Sequence, residues 1–174
     1  MMTNRLAQSV FYSSGLGVVS AASLGLAVLG RPATAARLAT GWQSWIGPPA
    51  GLPGRFRPAA ANALVGLLLG VLALIPLGLV LVFVVRGIGY GWVDPGPYDT
   101  AWGGPTLAGA WTVHFLVGAA LAAVGLAGLA GIAALHRRWT ARLAGRPGGA
   151  WVLPVVAVVS VAEAAFFIAW LHQI

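Results

Sequence analysis

Four stretches of the chain are almost unbroken apolar sequence, and the polar residues gather between them. They cover residues 6–30, 59–86, 107–135 and 150–171. Runs of about 18 or more apolar residues are long enough to cross a bilayer as helices. The pattern predicts an all-α chain, an integral membrane four-helix bundle forming a single transmembrane domain over residues 1–174. Gly66 and Gly70 stand one turn apart in the second span, where another helix can approach closely. Pro76 removes a backbone donor near its middle and predicts a kink. Ala119, Ala123, Ala127 and Gly131 recur every four residues in the third span and predict a packing ridge.

The connections differ in chemistry. Residues 31–58 are rich in Pro, Gly and Arg. Within them, residues 33–45 predict a short interfacial helix with Arg37 toward the headgroups and Trp42 and Trp45 at the boundary. Pro48-Pro49 would end it. The connection from Trp92 to Trp102 carries Asp94 and Asp99 and no arginine, and Asp94-Pro95-Gly96-Pro97 is a turn sequence. Residues 136–149 read as a basic loop, with His136 a headgroup contact beside Arg137 and Arg138. Ala33-Thr34-Ala35 resembles a leader cleavage site, but one arginine precedes the first span and four follow it. That asymmetry favours a retained span.

Composition narrows the class. Only 7% of the residues are charged and 59% are hydrophobic, with a mean hydropathy of +0.89. Soluble domains carry about 25% charged residues, so this chain cannot clothe a water-facing surface. The net charge of +7 is all arginine. Beside apolar spans it reads as a topology signal, and no nucleic-acid partner is expected. Arg31, Arg37, Arg55, Arg57, Arg137, Arg138, Arg142 and Arg146 fall on one side of a four-span chain, Arg5 and Arg86 on the other. This places both termini and the Trp92–Trp102 loop outside the cytoplasm, in a multi-pass protein of a bacterial cytoplasmic membrane. There is no cysteine, which excludes disulfides and thiolate metal sites. No phosphate-binding loop, nucleophile elbow, zinc-protease or dinucleotide motif is present. No cofactor, metal ligand or catalytic residue is assigned.

Polar side chains inside the spans are costly and tend to be functional. Gln8, Ser9, Tyr12, Ser13 and Ser14 lie in the outer half of span one, Thr112 and His114 in that of span three, and Ser160 and Glu163 in span four. They predict a polar pocket open to the outside above a dry inner half. Glu163 lies about 12 Å below Leu171, and His114 about 10 Å below Leu107. The two are expected to meet, directly or through water. Tyr12, Asp99, Trp102 and Trp111 complete the expected ligand-binding set.

The stretch Tyr90-Gly91-Trp92-Val93-Asp94-Pro95-Gly96-Pro97-Tyr98-Asp99 is followed by Trp102-Gly103-Gly104-Pro105-Thr106 and then by Gly109, Trp111 and His114. It resembles a segment of small actinobacterial membrane proteins. It is also similar to the sensor-type membrane domain that precedes some actinobacterial histidine kinases. The similarity covers roughly residues 60–140 and implies a multi-helix membrane domain with an outward loop. It names no ligand. The sequence contains no kinase domain, so any signal is expected to leave through a partner membrane protein or a second copy. The expected role is a sensor or accessory module that takes a small molecule, lipid or partner from the outer face. The alternative is a small oligomeric transporter or channel subunit using Glu163 and His114 as a protonatable pair. An intramembrane acid–base enzyme ranks last.

Overall fold

The computed structural model describes residues 2–172, apart from the side chains of Met2, Thr3, Phe166 and Trp170. It is helical, and no strand occurs among the described residues. In order come α1 (Met2–Val28), α2 (Pro32–Gln43), α3 (Phe56–Leu72), α4 (Leu74–Val82), a π-helical turn (Phe83–Ile88), α5 (Tyr90–Val93), α6 (Leu107–Leu143) and α7 (Val152–Leu171). Four stretches are long and apolar enough to cross a membrane: Asn4–Val28, Phe56–Ile88, Leu107–Leu143 and Val152–Ala169. A third or less of each is buried within the chain. Val18, Val71, Val124 and Val161 are among the side chains left open. Apolar surface this extensive is foreign to soluble monomers.

Two boundaries follow from single residues. The helix breaks at Ala73, because Pro76 cannot donate to the Leu72 carbonyl and its ring crowds that carbonyl. At the other boundary α6 continues through His136, Arg137 and Arg142, so the expected basic loop begins as helix. Ala, Leu and Arg sustain it. It stops where Gly145 takes a φ of 87° and Arg146 N–H returns to the Ala141 carbonyl, a glycine-dependent helix end.

The chain forms two compact units, Met1–Ala73 with Ala130–Ile174, and Leu74–Leu129. In the first, α1 and α3 run antiparallel. Gly17 meets Gly70 in mid-helix, and Ala27 meets Ala59 near one end. A Cβ on Gly70 would overlap the Gly17 backbone. α7 packs on α3.

The interfacial-helix expectation for residues 33–45 is corrected here. α2 doubles back along α1, with Ala35 against Ala27 and Trp42 against Gly15. Its buried face is Ala35, Ala36, Ala39 and Gln43. Such a narrow face of small residues suits helix packing better than headgroup immersion, which calls for bulky apolar anchors. The chain then returns in extended form. Leu52 packs on Ala36 and Ala39, Gly54 sits against Ala33, and Ala50 N–H donates to Gln43 Oε1 at 3.1 Å.

In the second unit, glycines of α6 receive the kinked segment. A Cβ on Gly118 would lie 2.9 Å from the Phe83 ring, and one on Gly125 2.6 Å from the Pro76 carbonyl. The expected ridge is not the packing face: Ala123, Ala127 and Gly131 are exposed, while Ala122, Gly125 and Leu129 are buried. Small residues recur on two adjacent faces of this helix. The face that packs is the one where glycine removes the Cβ in front of a backbone.

The crossing of α1 and α3 makes an asymmetric prediction. A Cβ on Gly17 would be in ordinary contact, 3.6 Å from Gly70, whereas one on Gly70 collides. Gly70→Ala should cost about 1–3 kcal/mol, and Gly17→Ala should be near neutral. Unfolding of the purified protein by SDS titration measures both, and equal effects would contradict the crossing described.

Candidate functional site

A cleft of about 440 Å³ opens in the first unit, within the size range of small-ligand sites. The first turns of α1 supply Arg5, Gln8 and Ser9, which share a face at helical spacing. α6 supplies Ala130, Ala133, Ala134 and Arg137, again at intervals of three and four. The tip of the α2 hairpin supplies Ser44, Trp45, Ile46, Gly47 and Pro48. This tip is a 3₁₀ turn over Ser44–Ile46 that ends at Gly47 with a φ of 139°, a conformation that glycine alone adopts freely. Pro48 and Pro49 bar the helix from resuming. Trp45 and Trp42 both pack on Phe11, at 4.9 and 5.2 Å between ring centres, which fixes the tip on α1.

The cleft is electrostatically one-sided. The chain has three acidic side chains, Asp94, Asp99 and Glu163, and none lines it. Among the described residues the ion pair lies elsewhere, between Arg86 and Asp94 at 4.0 Å. Arg5 and Arg137 therefore face the cleft without an acidic partner. Two guanidiniums and the Gln8 amide are a donor set for an oxyanion; the Ser9 and Ser44 hydroxyls already donate to the Arg5 and Gly41 carbonyls, at 2.9 and 2.7 Å.

Beneath the cleft the packing is polar. Tyr12 OH and His136 Nδ1 are 2.5 Å apart, and both side chains are buried. Trp42 Nε1 donates to the Tyr12 carbonyl at 3.2 Å. Thr140 Oγ1 donates to Asn62 Oδ1 at 2.8 Å, and Trp139 Nε1 to the Ala61 carbonyl at 3.3 Å. These bonds tie α1, α2, α3 and α6 together. Unpaired polar atoms in such surroundings cost several kcal/mol on the order of a lost hydrogen bond or more. His136 Nε2, Ser23 Oγ and Gln43 Nε2 nonetheless lack partners among the described residues. Nε2 faces Gly66, where a Cβ would come within 3.1 Å of it and strike Ser20 Oγ.

His136 is thus not a headgroup contact. Because α6 continues, His136 shares a face with buried Leu129, Ala133 and Thr140, while Arg137 and Arg138 project outward. The three-and-four spacing from Leu129 to Thr140 is the signal in the sequence that marks it. Arg5 and Arg137 carry no such signal, since their convergence depends on the fold.

Of the expected ligand set, Tyr12 and Glu163 belong to the first unit. Tyr12 is joined to His136, and Glu163 is half-buried on α7 with no hydrogen bond or ion pair among the described residues. Asp99, Trp102, Trp111 and His114 belong to the second unit. His114 stacks on Tyr90 at 4.2 Å, and its Nδ1–H donates to the Ala110 carbonyl at 2.8 Å. Burial pushes the Tyr90 phenol above its ordinary range, reinforced by Asp94, so the ring that meets His114 is neutral. Trp111 Nε1 donates to the Gly87 carbonyl at 2.7 Å. Asp94 serves its turn, accepting from Gly96 N–H at 3.2 Å through its carboxylate and from Tyr98 OH at 2.7 Å through its carbonyl. Asp99 and Trp102 are exposed, without hydrogen bonds or ring contacts among the described residues.

Removing the Tyr12 hydroxyl tests the polar floor. Tyr12→Phe strips His136 Nδ1 of its partner and should cost about 1–3 kcal/mol. Combined with His136→Leu the losses should be clearly non-additive in SDS titration; strict additivity would mean that the two groups are not bonded. No family model, curated protein or solved structure matches the chain.

Proposed function

We propose that the chain is a multi-pass protein of a bacterial cytoplasmic membrane, a sensor or accessory module that binds an anionic ligand in the Arg5–Arg137 cleft. The observation that carries this reading is a cleft lined by Arg5, Arg137 and Gln8 and by no carboxylate. The four long apolar helices and their open apolar faces support the membrane setting. The excess of arginine in two connections and the helix end beside them supports both termini and the Trp92–Trp102 loop being extracytoplasmic. The sensor-type resemblance of the Trp92–His114 stretch is of the same class.

The cleft has a route to the packing beneath it. Gln8 and Ser9 are one turn from Tyr12, Arg137 follows His136, and Ser44 is two residues from Trp42. A ligand that draws these residues together acts on the Tyr12–His136 bond and so on the docking of α1 against α6. It shifts that packing only as far as it binds one arrangement better than the other. The output passes to a partner membrane protein or a second copy.

Topology is tested with single cysteines at Thr100 and Ala144 and a membrane-impermeant maleimide on intact cells. Thr100→Cys should label and Ala144→Cys should not; the reverse removes the outer-side assignment. Ligand class is tested by thermal unfolding in detergent with phosphate, sulfate, citrate and short-chain phosphatidylglycerol at constant ionic strength. At least one should stabilise the wild type, by about 2.7 kcal/mol at a hundredfold excess over Kd. Arg5→Gln/Arg137→Gln should abolish the effect. Failure of every anion would reject the reading.

A further inference from the structure

We infer that the occupant of the cleft is the phosphate group of an anionic membrane lipid. This rests on the reading of the cleft as an anion site and names the class of anion. The two arginines supply the headgroup half of the argument. A guanidinium fork matches phosphate oxygens in pairs, and the neighbouring Gln8 amide can donate to an oxygen that remains.

The other half comes from the walls. Ala130, Ala133 and Ala134 present methyl groups on one side, and Trp45 and Ile46 present apolar surface on the other. Trp45 is half exposed at this tip and packs on a half-exposed Phe11. A small soluble oxyanion fills the polar end and leaves these walls wet. A lipid covers both, laying its glycerol and first acyl carbons along the methyl wall. α1 and α6, which form two sides, are each long and apolar enough to cross a membrane. Their occupant can arrive from the bilayer. Tryptophan at such a mouth is the usual aromatic of the membrane boundary.

Charge then selects among lipids. A zwitterionic headgroup brings an ammonium group, and the cleft offers no carboxylate to receive it. A headgroup whose only charge is its phosphate brings Arg5 and Arg137 an anion and no ammonium for them to repel.

The test uses the purified full chain in mild detergent, with phosphatidylglycerol and phosphatidylcholine of identical acyl chains, read by native mass spectrometry. Phosphatidylglycerol should be retained roughly tenfold or more over phosphatidylcholine, the value of one charged hydrogen bond. Arg5→Gln/Arg137→Gln should erase the preference, and Arg31→Gln/Arg146→Gln, which alters arginines outside the cleft, should keep it. Ala134→Leu narrows the apolar wall without touching charge. It should weaken phosphatidylglycerol and spare inorganic phosphate, and it carries the test if the arginine variant does not fold. Equal retention of the two lipids, a preference that survives in the cleft variants, or inorganic phosphate displacing the lipid at equal concentration would overturn the assignment. Soluble anions binding where lipid does not would overturn it and leave the anion site standing. Binding by neither would remove both.

Discussion

The approach of α1 to α3 at Gly17 and Gly70 is the constraint on which the first unit depends. Helices with leucine and valine on their outer faces gain nothing by association in an apolar solvent, where lipid tails serve them equally well. What remains is close van der Waals contact and polar pairing, and both require the backbones to come near. The absent side chain at Gly70 allows the crossing. Gly66, one turn away, leaves room for Ser20 and His136 in the same layer. From that layer the buried bonds spread: Tyr12 to His136, Thr140 to Asn62, Trp139 to the chain of α3. In an apolar setting each such bond has few competitors, so it specifies which faces meet even where its net contribution is small.

The hairpin over residues 32–55 is the second consequence. Extended backbone among apolar helices is tolerated only where its polar groups are satisfied or where it borders a cavity. Both conditions hold here. Gln43 receives the Ala50 N–H, and the turn before it lines the cleft. Gly47 and Pro48 belong together in this: one supplies the conformation, the other prevents the helix from running on. The tip therefore sits against Arg137 and the first turns of α1.

Scarcity of acid gives the cleft its character. With three acidic side chains in all, one committed to a turn beside Arg86, most arginines have no internal partner. On exposed connections such cations are neutralised by water and lipid. Two that line the same cleft are a different case, since neighbouring like charges repel. An anion between them removes that cost. This is why the cleft, and not the more aromatic Tyr90–His114 cluster, carries the functional reading.

By itself the sequence determined what depends on local properties. The lengths of the apolar runs located all four long helices to within a few residues at most ends. Pro76 marked the break, and Asp94-Pro95-Gly96-Pro97 marked the turn, because a missing donor and a restricted φ act within one turn of the chain. Tertiary structure decided which faces meet. α6 is apolar nearly all round, so its periodicity offers several equivalent packing stripes; the glycine face was selected by the fit of Pro76 and Phe83, leaving Ala123 and Ala127 outside. The same degeneracy hid the burial of His136 behind two arginines, and the folding back of α2 behind its resemblance to an interfacial helix. The meeting of Arg5 with Arg137 had no local trace at all. It follows from how α1, the hairpin tip and α6 pack, and side-chain fit between distant segments is a property of the folded chain alone.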